Sequence, residues 1–163
     1  MNITIKEIPC YSREMSCYSK DKIFGILYTP AEYKGKLPAV ILSHGYNSSH
    51  RELLDMAEGL AKRGFAAYCY DFCGGSAVSE SGGSSLDMSI ETEIADLKAV
   101  IKAISENDFI DIDRIYLYGE SQGGFVSALT AAQMPDKIAG EVLLYPAFCI
   151  PDNWLKIDPE TMK

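Results

Sequence analysis

Two hydrophobic patterns divide this chain into strands and helices. Near its start, Ile3 and Ile5 alternate with polar residues, and a second strand-like run over 22–28 stops at Thr29-Pro30, so we expect two antiparallel starting strands. Continuous apolar runs predict further strands, buried where both faces are covered, over 37–42, 65–70, 114–118 and 141–146.

The helical pattern is clearest between the second and third of these runs. One apolar stripe at three-to-four spacing predicts a long helix and consists of Ile90, Ile94, Leu97, Ile101 and Ile104. The opposite, polar face is expected to carry Glu91, Glu93, Lys98 and Lys102. Ser49 and Glu52 have the spacing of a capping box before a shorter helix, which Gly64 should end, and a third helix is expected over 122–133.

Because strands alternate with helices, we predict an α/β fold with a mostly parallel sheet and flanking helices. The 163 residues suffice for one domain with a proper core, and no inter-domain linker interrupts them. Parallel sheets bind ligands at the carboxyl ends of their strands. His44-Gly45, Asp71-Phe72 and Ser121 all follow predicted strands, so we expect their loops to meet at one crevice.

Composition narrows the choice of partners. The net charge is −8 and no Lys/Arg cluster stands out, which argues against nucleic acid and anionic membranes as partners. No apolar run approaches membrane-spanning length, and the first residues lack the apolar core of a secretory signal. Five scattered cysteines without metal-like spacing are typical of reduced thiols, so we expect a cytoplasmic protein without a metal site. A redox role for Cys69 and Cys73 is conceivable, but buried small apolar side chains are the simpler interpretation.

The candidate chemistry centres on Gly119-Glu120-Ser121-Gln122-Gly123. This G-x-S-x-G pattern lies between a predicted strand and a predicted helix, which is the context of a nucleophile elbow. The glycines permit a sharp turn that exposes the hydroxyl of Ser121, so we predict that Ser121 is a nucleophile. The alternative is a serine that only caps a helix in a glycine-rich turn.

A nucleophilic serine needs backbone N–H donors for the oxyanion. Gln122 follows the nucleophile in the first turn of a helix, where N–H groups are free. The second donor is expected from the loop Ser43-His44-Gly45-Tyr46, in which Gly45 allows a tight backbone and Tyr46 offers its N–H. Tyr46 could instead be only a loop aromatic.

No general base for Ser121 is evident, because the chain's two histidines, His44 and His50, both precede the elbow. His44 is expected to prop the oxyanion loop, and His50, inside the capping-box pattern, is expected to be solvated. Asp71 also precedes the serine, so it is interpreted as a loop brace rather than a triad acid. The Glu120 side chain is expected to point away from the serine hydroxyl.

Two further patterns are given structural interpretations. Asp111 and Asp113 look like turn residues at the start of the elbow strand. Gly74-Gly75-Ser76 has no following Lys or Arg and no prompt helix, so a phosphate-binding loop is discounted.

These motifs together resemble the cinnamoyl/feruloyl-esterase branch of the bacterial α/β-hydrolases. The resemblance is carried by three segments, Ser43-His44-Gly45-Tyr46, Asp71-Phe72-Cys73-Gly74-Gly75-Ser76 and Gly119-Glu120-Ser121-Gln122-Gly123-Gly124. It implies hydrolysis of carboxylic esters, often of hydroxycinnamic acids, without a cofactor, although similar sequences act as carboxylesterases, lysophospholipases and peptidases. It also implies Ser121 as nucleophile and the N–H groups of Tyr46 and Gln122 as the oxyanion hole.

The same resemblance raises an expectation about the end of the chain. The family carries its triad acid and histidine after its last two strands and inserts a lid after the strand that matches 141–145. By that comparison, residues 1–163 form a single hydrolase core domain that is incomplete at its end, and residues 147–163 begin the lid. Two interpretations are open for the aromatic side chains of this region, the lining of an acyl pocket or packing alone; these residues are Tyr145, Phe148 and Trp154. We therefore expect weak activity and self-association through an exposed sheet edge. The alternatives are a non-catalytic hydrolase-like binding module, a truncated remnant, or a serine hydrolase completed by a histidine from another chain.

Overall fold

The computed structural model describes residues 2–11 and 22–150, and its main feature is a six-stranded sheet with helices on both faces. The strands are β1 Ile3–Glu7, β2 Cys10–Tyr11, β3 Lys22–Ile23, β4 Gly25–Pro30, β5 Leu37–Ser43, β6 Ala66–Tyr70, β7 Ile110–Glu120 and β8 Gly140–Leu144. The helices are α1 Leu54–Ala61, α2 Ile90–Ser105 and α3 Ser121–Gln133, and a short 3-10 turn over His50–Leu53 precedes α1. The predicted α/β class is confirmed.

The sheet order is β1-β4-β6-β5-β7-β8, and β2 and β3 form a separate two-stranded ribbon. β1, β4 and β6 pair antiparallel, whereas β6, β5, β7 and β8 run parallel, so the antiparallel starting strands and the mostly parallel sheet are both confirmed. β5 lies in the middle of the parallel part, between β6 and β7. Its carboxyl end therefore lies beside that of β7, which places the two predicted site loops next to each other.

The core has two layers because successive residues of β5 point to opposite faces of the sheet. Ile41 packs in one cluster with Leu97 of α2 and Val126 of α3. Leu42 packs in the other cluster with Ala57 of α1. α1 thus covers one face and α2 and α3 cover the other, which explains why the sequence of β5 is continuously apolar.

One local prediction is wrong, and a second is right only in part. Ser49 makes no side-chain cap, because the Glu52 N–H that a capping box would give to the Ser49 side chain donates instead to the Ser49 carbonyl oxygen at 3.2 Å, and residues 50–53 form a 3-10 turn. The His50 N–H at this helix start is bonded to Asp71 Oδ1 at 2.6 Å. Asp111 and Asp113 lie within the bounds of β7, but in its register irregularity between Ile110 and Ile115, where Asp113 N donates to Asp111 Oδ1 at 3.2 Å, a turn-like contact. The capping box that forms is at α2, where Ser89 and Thr92 exchange side-chain bonds with each other's backbone N–H.

Within the described residues, β8 is an edge strand of the sheet, and its Val142 side chain is 58% exposed. In the same part of the chain, no helix combines the length and the apolar character needed to cross a bilayer.

Candidate active site

Ser121 lies at the junction of β7 and α3, on a backbone that side chains rarely adopt. Its φ is +50°, in the left-handed region. Such a conformation costs about 1–3 kcal/mol in a non-glycine residue and persists only where the surroundings enforce it. The Ser121 carbonyl accepts a hydrogen bond from Ala147 N at 2.8 Å, so the segment after β8 is one of the elements that hold this turn.

The glycines of the G-x-S-x-G pattern are required because main chain packs on main chain around the turn. A Cβ on Gly119 would lie 2.5 Å from the Gly123 carbonyl oxygen, and a Cβ on Gly123 would lie 2.3 Å from the His44 carbonyl oxygen. Both distances are too short for any side chain. The first turn of α3 is thereby pressed against both β7 and the loop after β5, as a nucleophile elbow requires.

The loop after β5 passes directly beside Ser121. A Cβ on Gly45 would lie in ordinary van der Waals contact with the Ser121 Cβ, at 3.4 Å, so the backbone of this loop runs against the serine. Tyr46, the next residue, is 68% exposed, while Gln122 is buried in the first turn of α3. The structure thus brings Gly45 to Ser121, and the N–H groups of Tyr46 and Gln122 stay the predicted oxyanion donors.

His44 is buried, and both of its ring nitrogens have partners in the loops. Nδ1 lies 2.8 Å from the Gly45 carbonyl oxygen, and Nε2 accepts from Phe72 N at 3.3 Å. A neutral imidazole with its proton on Nδ1 satisfies both contacts. Burial lowers the pKa of His44, although the Gly45 contact and Asp71 act in the opposite direction. The side chain ties the oxyanion loop to the loop after β6 and is not free to accept a proton from Ser121.

His50 was expected in solvent, and that expectation is wrong. The side chain is 3% exposed, its Nδ1 lies 2.9 Å from Asp71 Oδ1, and its ring packs on Phe24 with centroids 4.9 Å apart. The other carboxylate oxygen of Asp71 accepts Glu80 N at 2.7 Å, so the predicted loop-bracing role of Asp71 is confirmed. Among the described residues, no hydrogen bond joins His44 or His50 to Ser121.

Glu120 joins the elbow to the end of β8. Its carboxylate accepts from the Tyr118 hydroxyl at 2.5 Å and from the Tyr145 hydroxyl at 3.1 Å. Tyr145 and Phe148 are more than half exposed on this side of the sheet, and Phe148 meets Phe125 edge to face. Trp154, the third aromatic considered for an acyl pocket, lies outside the described residues.

A buried polar cluster beneath the elbow was missed from the sequence. Glu93, predicted on the solvent face of α2, is only 2% exposed, and its Oε2 accepts Gln122 Nε2 at 2.8 Å. Asp96, one turn further along α2, accepts Cys73 N at 2.8 Å. Glu93 is buried because α3 and the loop after β6 cover the side of α2 that the amphipathic pattern assigned to water. The sequence signal available for this cluster was the spacing of Glu93 and Asp96, which lie three residues apart and therefore on one side of the helix.

The remaining candidates have structural explanations. A Cβ on Gly74 would lie 2.4 Å from the Ser84 carbonyl oxygen, so this glycine serves loop packing. Burial raises the pKa of the Cys69 thiol to about 12, which disfavours the reactive thiolate. Over residues 2–11 and 22–150, no group of three or more histidine, cysteine or carboxylate side chains is arranged to hold a metal.

Known proteins share both the sequence pattern and the fold. A family model described as serine aminopeptidase, S33, matches residues 36–162. The chain is 32% identical over 120 residues to a 20-hydroxy-prefusarin hydrolase, FUS2, of Gibberella moniliformis. This match covers 70% of the present chain and 29% of FUS2. It is 31% identical over 113 residues to a hydrolase, LUC6, of a Fusarium species, covering 66% of this chain and 27% of the relative.

A solved structure of Est1E from Butyrivibrio proteoclasticus with ferulic acid bound superposes with a TM-score of 0.78 at 28% identity. The match covers 92% of this chain and 60% of Est1E. This chain therefore spans less than a third of the curated relatives and three-fifths of that structure.

Proposed function

This chain belongs to the serine aminopeptidase S33 family of α/β-hydrolases, and from that premise we propose that Ser121 is the nucleophile of a carboxylic-ester hydrolase. The observation that carries the proposal is the positive φ of Ser121 between β7 and α3, with Gly45 of the neighbouring loop against its Cβ. A helix-capping serine has no need of this strained backbone, whereas an exposed nucleophile does.

In the proposed reaction, Ser121 Oγ attacks the ester carbonyl carbon as the serine gives up its proton. The carbonyl electron pair moves onto oxygen, where the N–H groups of Tyr46 and Gln122 stabilise the negative charge. Collapse of this intermediate expels the alkoxide, which takes up the proton equivalent to the one that Ser121 lost and leaves as the alcohol, and an acyl-Ser121 ester remains. Water then attacks the acyl-enzyme in the same way and releases the acid and free Ser121. No cofactor takes part.

The proton of Ser121 needs an acceptor, and both of the chain's imidazoles are engaged elsewhere. Without a positioned base, a serine hydrolase keeps only the contribution of its oxyanion hole and of substrate binding, roughly 10³–10⁴-fold over water. We therefore expect slow ester turnover from this polypeptide alone.

For the substrate we propose esters of aromatic acids such as hydroxycinnamic acids. Est1E, whose structure holds ferulic acid, is 28% identical to this chain. Exposed Tyr145 and Phe148 follow β8, where they contact Glu120 and Phe125 beside the elbow, and they offer aromatic surface to a planar acyl group. Esters of aliphatic acids of similar size are the comparison that tests this preference.

The test is hydrolysis of p-nitrophenyl butyrate with and without added imidazole, which can replace a missing base. After the solution reaction is subtracted, imidazole should raise the enzymatic rate of the wild-type chain by roughly 10²-fold, the lower end of the range for general acid–base catalysis. Ser121→Ala should abolish this increment. Ser127 lies on the same helix, and its buried hydroxyl has no hydrogen-bond partner, so Ser127→Ala should retain the imidazole-dependent increment. Equal rates for wild type and Ser121→Ala would contradict the proposal.

A non-catalytic binding module is the second candidate, and the engagement of both imidazoles favours it. This function predicts saturable binding of ferulate-like ligands with the same affinity in wild type and Ser121→Ala, and no imidazole-dependent increment in either. The imidazole experiment therefore separates the two candidates.

A further inference from the structure

We infer that Glu93 is a positioning residue for the oxyanion hole: by binding the Gln122 side chain, it fixes the peptide whose N–H is a proposed oxyanion donor. The inference rests on the proposed function for the role of that N–H, but the contact itself does not. Glu93 Oε2 accepts Gln122 Nε2 at 2.8 Å, and both side chains are buried.

The contact acts directly on the reactive turn because Gln122 immediately follows Ser121. The backbone of Gln122 lies in the first turn of α3, and its side-chain amide reaches into the buried cluster. There Met88 Sδ also lies 3.9 Å from Gln122 Nε2. A hydrogen bond to a charged carboxylate is roughly twice as strong as one between neutral groups. Ionised Glu93 thus holds Gln122 firmly, and a protonated Glu93 holds it less firmly.

The ionisation of Glu93 falls in the neutral range. Burial raises the pKa of Glu93 to about 7; the Gln122 hydrogen bond opposes this rise and the nearby Asp96 adds to it. Glu93 is faced by Asp96 on its own helix, by Gln122 on α3 and by Tyr70 on β6. The Tyr70 hydroxyl is bonded to Ser43 Oγ at 2.9 Å, and burial keeps its pKa well above the usual value, so it stays neutral. We therefore expect Glu93 to titrate near pH 7.

The direct test follows Gln122 in ¹H–¹⁵N spectra of the full chain between pH 5 and 9. In the wild type, the Gln122 side-chain and backbone N–H signals should shift together with a midpoint near 7, in step with the ¹³C signal of the Glu93 carboxyl. Glu93→Gln should remove this inflection. Asp96→Asn is the matched control on the same helix, and it should keep the inflection and lower its midpoint, because Asp96 raises the pKa of Glu93.

A second variant tests the same contact in case Glu93→Gln does not fold. Gln122→Leu keeps the backbone N–H and removes the side-chain donor, so the midpoint of the Glu93 carboxyl signal should rise. An inflection at Gln122 that persists in Glu93→Gln, or a Glu93 midpoint unchanged in Gln122→Leu, would overturn the inference.

The functional readout is the rate at which a fluorophosphonate labels Ser121 across the same pH range. The rate for the wild type should rise through pH 7, and the rate for Asp96→Asn should show the same rise at a lower pH, in line with the lowered midpoint in its spectra. The rate for Glu93→Gln should lack that rise and fall about tenfold below wild type at pH 8, less than the roughly 10²–10³-fold loss on deleting an oxyanion donor. Identical pH profiles for wild type and Glu93→Gln would overturn the positioning role. Absence of labelling at Ser121 in every variant would instead refute the proposed function, while the spectra would still decide whether Glu93 fixes Gln122.

Discussion

Replacing Gly123 by alanine measures how closely the elbow packs against the oxyanion loop. The added Cβ would lie 2.3 Å from the His44 carbonyl oxygen and 2.5 Å from the Ser43 carbonyl oxygen, where ordinary contact begins at 3.4 Å. The overlap is about 1 Å, and both neighbours are main-chain atoms at the end of β5, which cannot rotate away as a side chain could.

Two effects of opposite sign decide the outcome. Alanine in place of glycine within a helix gains about 0.5–1 kcal/mol. Overpacking a fixed site costs about 1–3 kcal/mol, and contacts to backbone this short belong at the upper end of that range. We expect Gly123→Ala to lower the free energy of unfolding by about 2 kcal/mol.

The assay is urea unfolding followed by circular dichroism, with Gly59→Ala as the matched control. Gly59 lies in α1, and a Cβ there meets only the flexible end of the Arg63 side chain, at 3.4 Å. This control should gain about 0.5–1 kcal/mol from helix propensity alone. If Gly123→Ala is as stable as wild type or gains stability in parallel with Gly59→Ala, the elbow is not pressed against the loop as described.

Three further predictions concern the edge strand, the loop brace and the buried acid. If β8 mediates the proposed self-association, Val142→Lys should shift the sedimentation-velocity distribution towards monomer, and a wild-type chain that is already monomeric would contradict this. Asp71→Asn should cost about 2–3 kcal/mol in urea unfolding, because an amide cannot replace a carboxylate that accepts bonds from both His50 and Glu80. Since the folded-state pKa of Glu93 is about 7 rather than 4.5, its stabilising contribution is complete below pH 4.5 and is lost as the pH rises through 7. Glu93→Gln should therefore gain stability relative to wild type over that interval, and a constant difference between the two would contradict the assignment.

The elements that sequence could predict are those whose signals are local. The apolar run of β5, the Ile/Leu stripe of α2 and the glycine pattern around Ser121 each depend on residues within one turn or strand, and the structure places each element where it was expected. The mostly parallel sheet then followed from their alternation. Gly64, predicted as a helix stop, has a φ of +95° just after α1.

What sequence reasoning missed depends on contacts between distant segments. His50 and Asp71 are 21 residues apart, and their contact buries the imidazole that the local pattern assigned to solvent. Glu93 was assigned to solvent because helical periodicity defines a face but not what covers it. Gln122, 29 residues later, supplies the hydrogen bond that makes its burial tolerable. Such pairs need the three-dimensional arrangement of α2 and α3, which no local pattern contains.

The most direct test of the account is the site at which a fluorophosphonate reacts with the folded chain. Intact-mass analysis after prolonged incubation should show one adduct, peptide mapping should place it on Ser121, and imidazole should accelerate its formation. Ser121→Ala should form none, while Ser127→Ala should react like wild type. An adduct elsewhere, or an adduct that persists in Ser121→Ala, would contradict the assignment of Ser121 as the nucleophile.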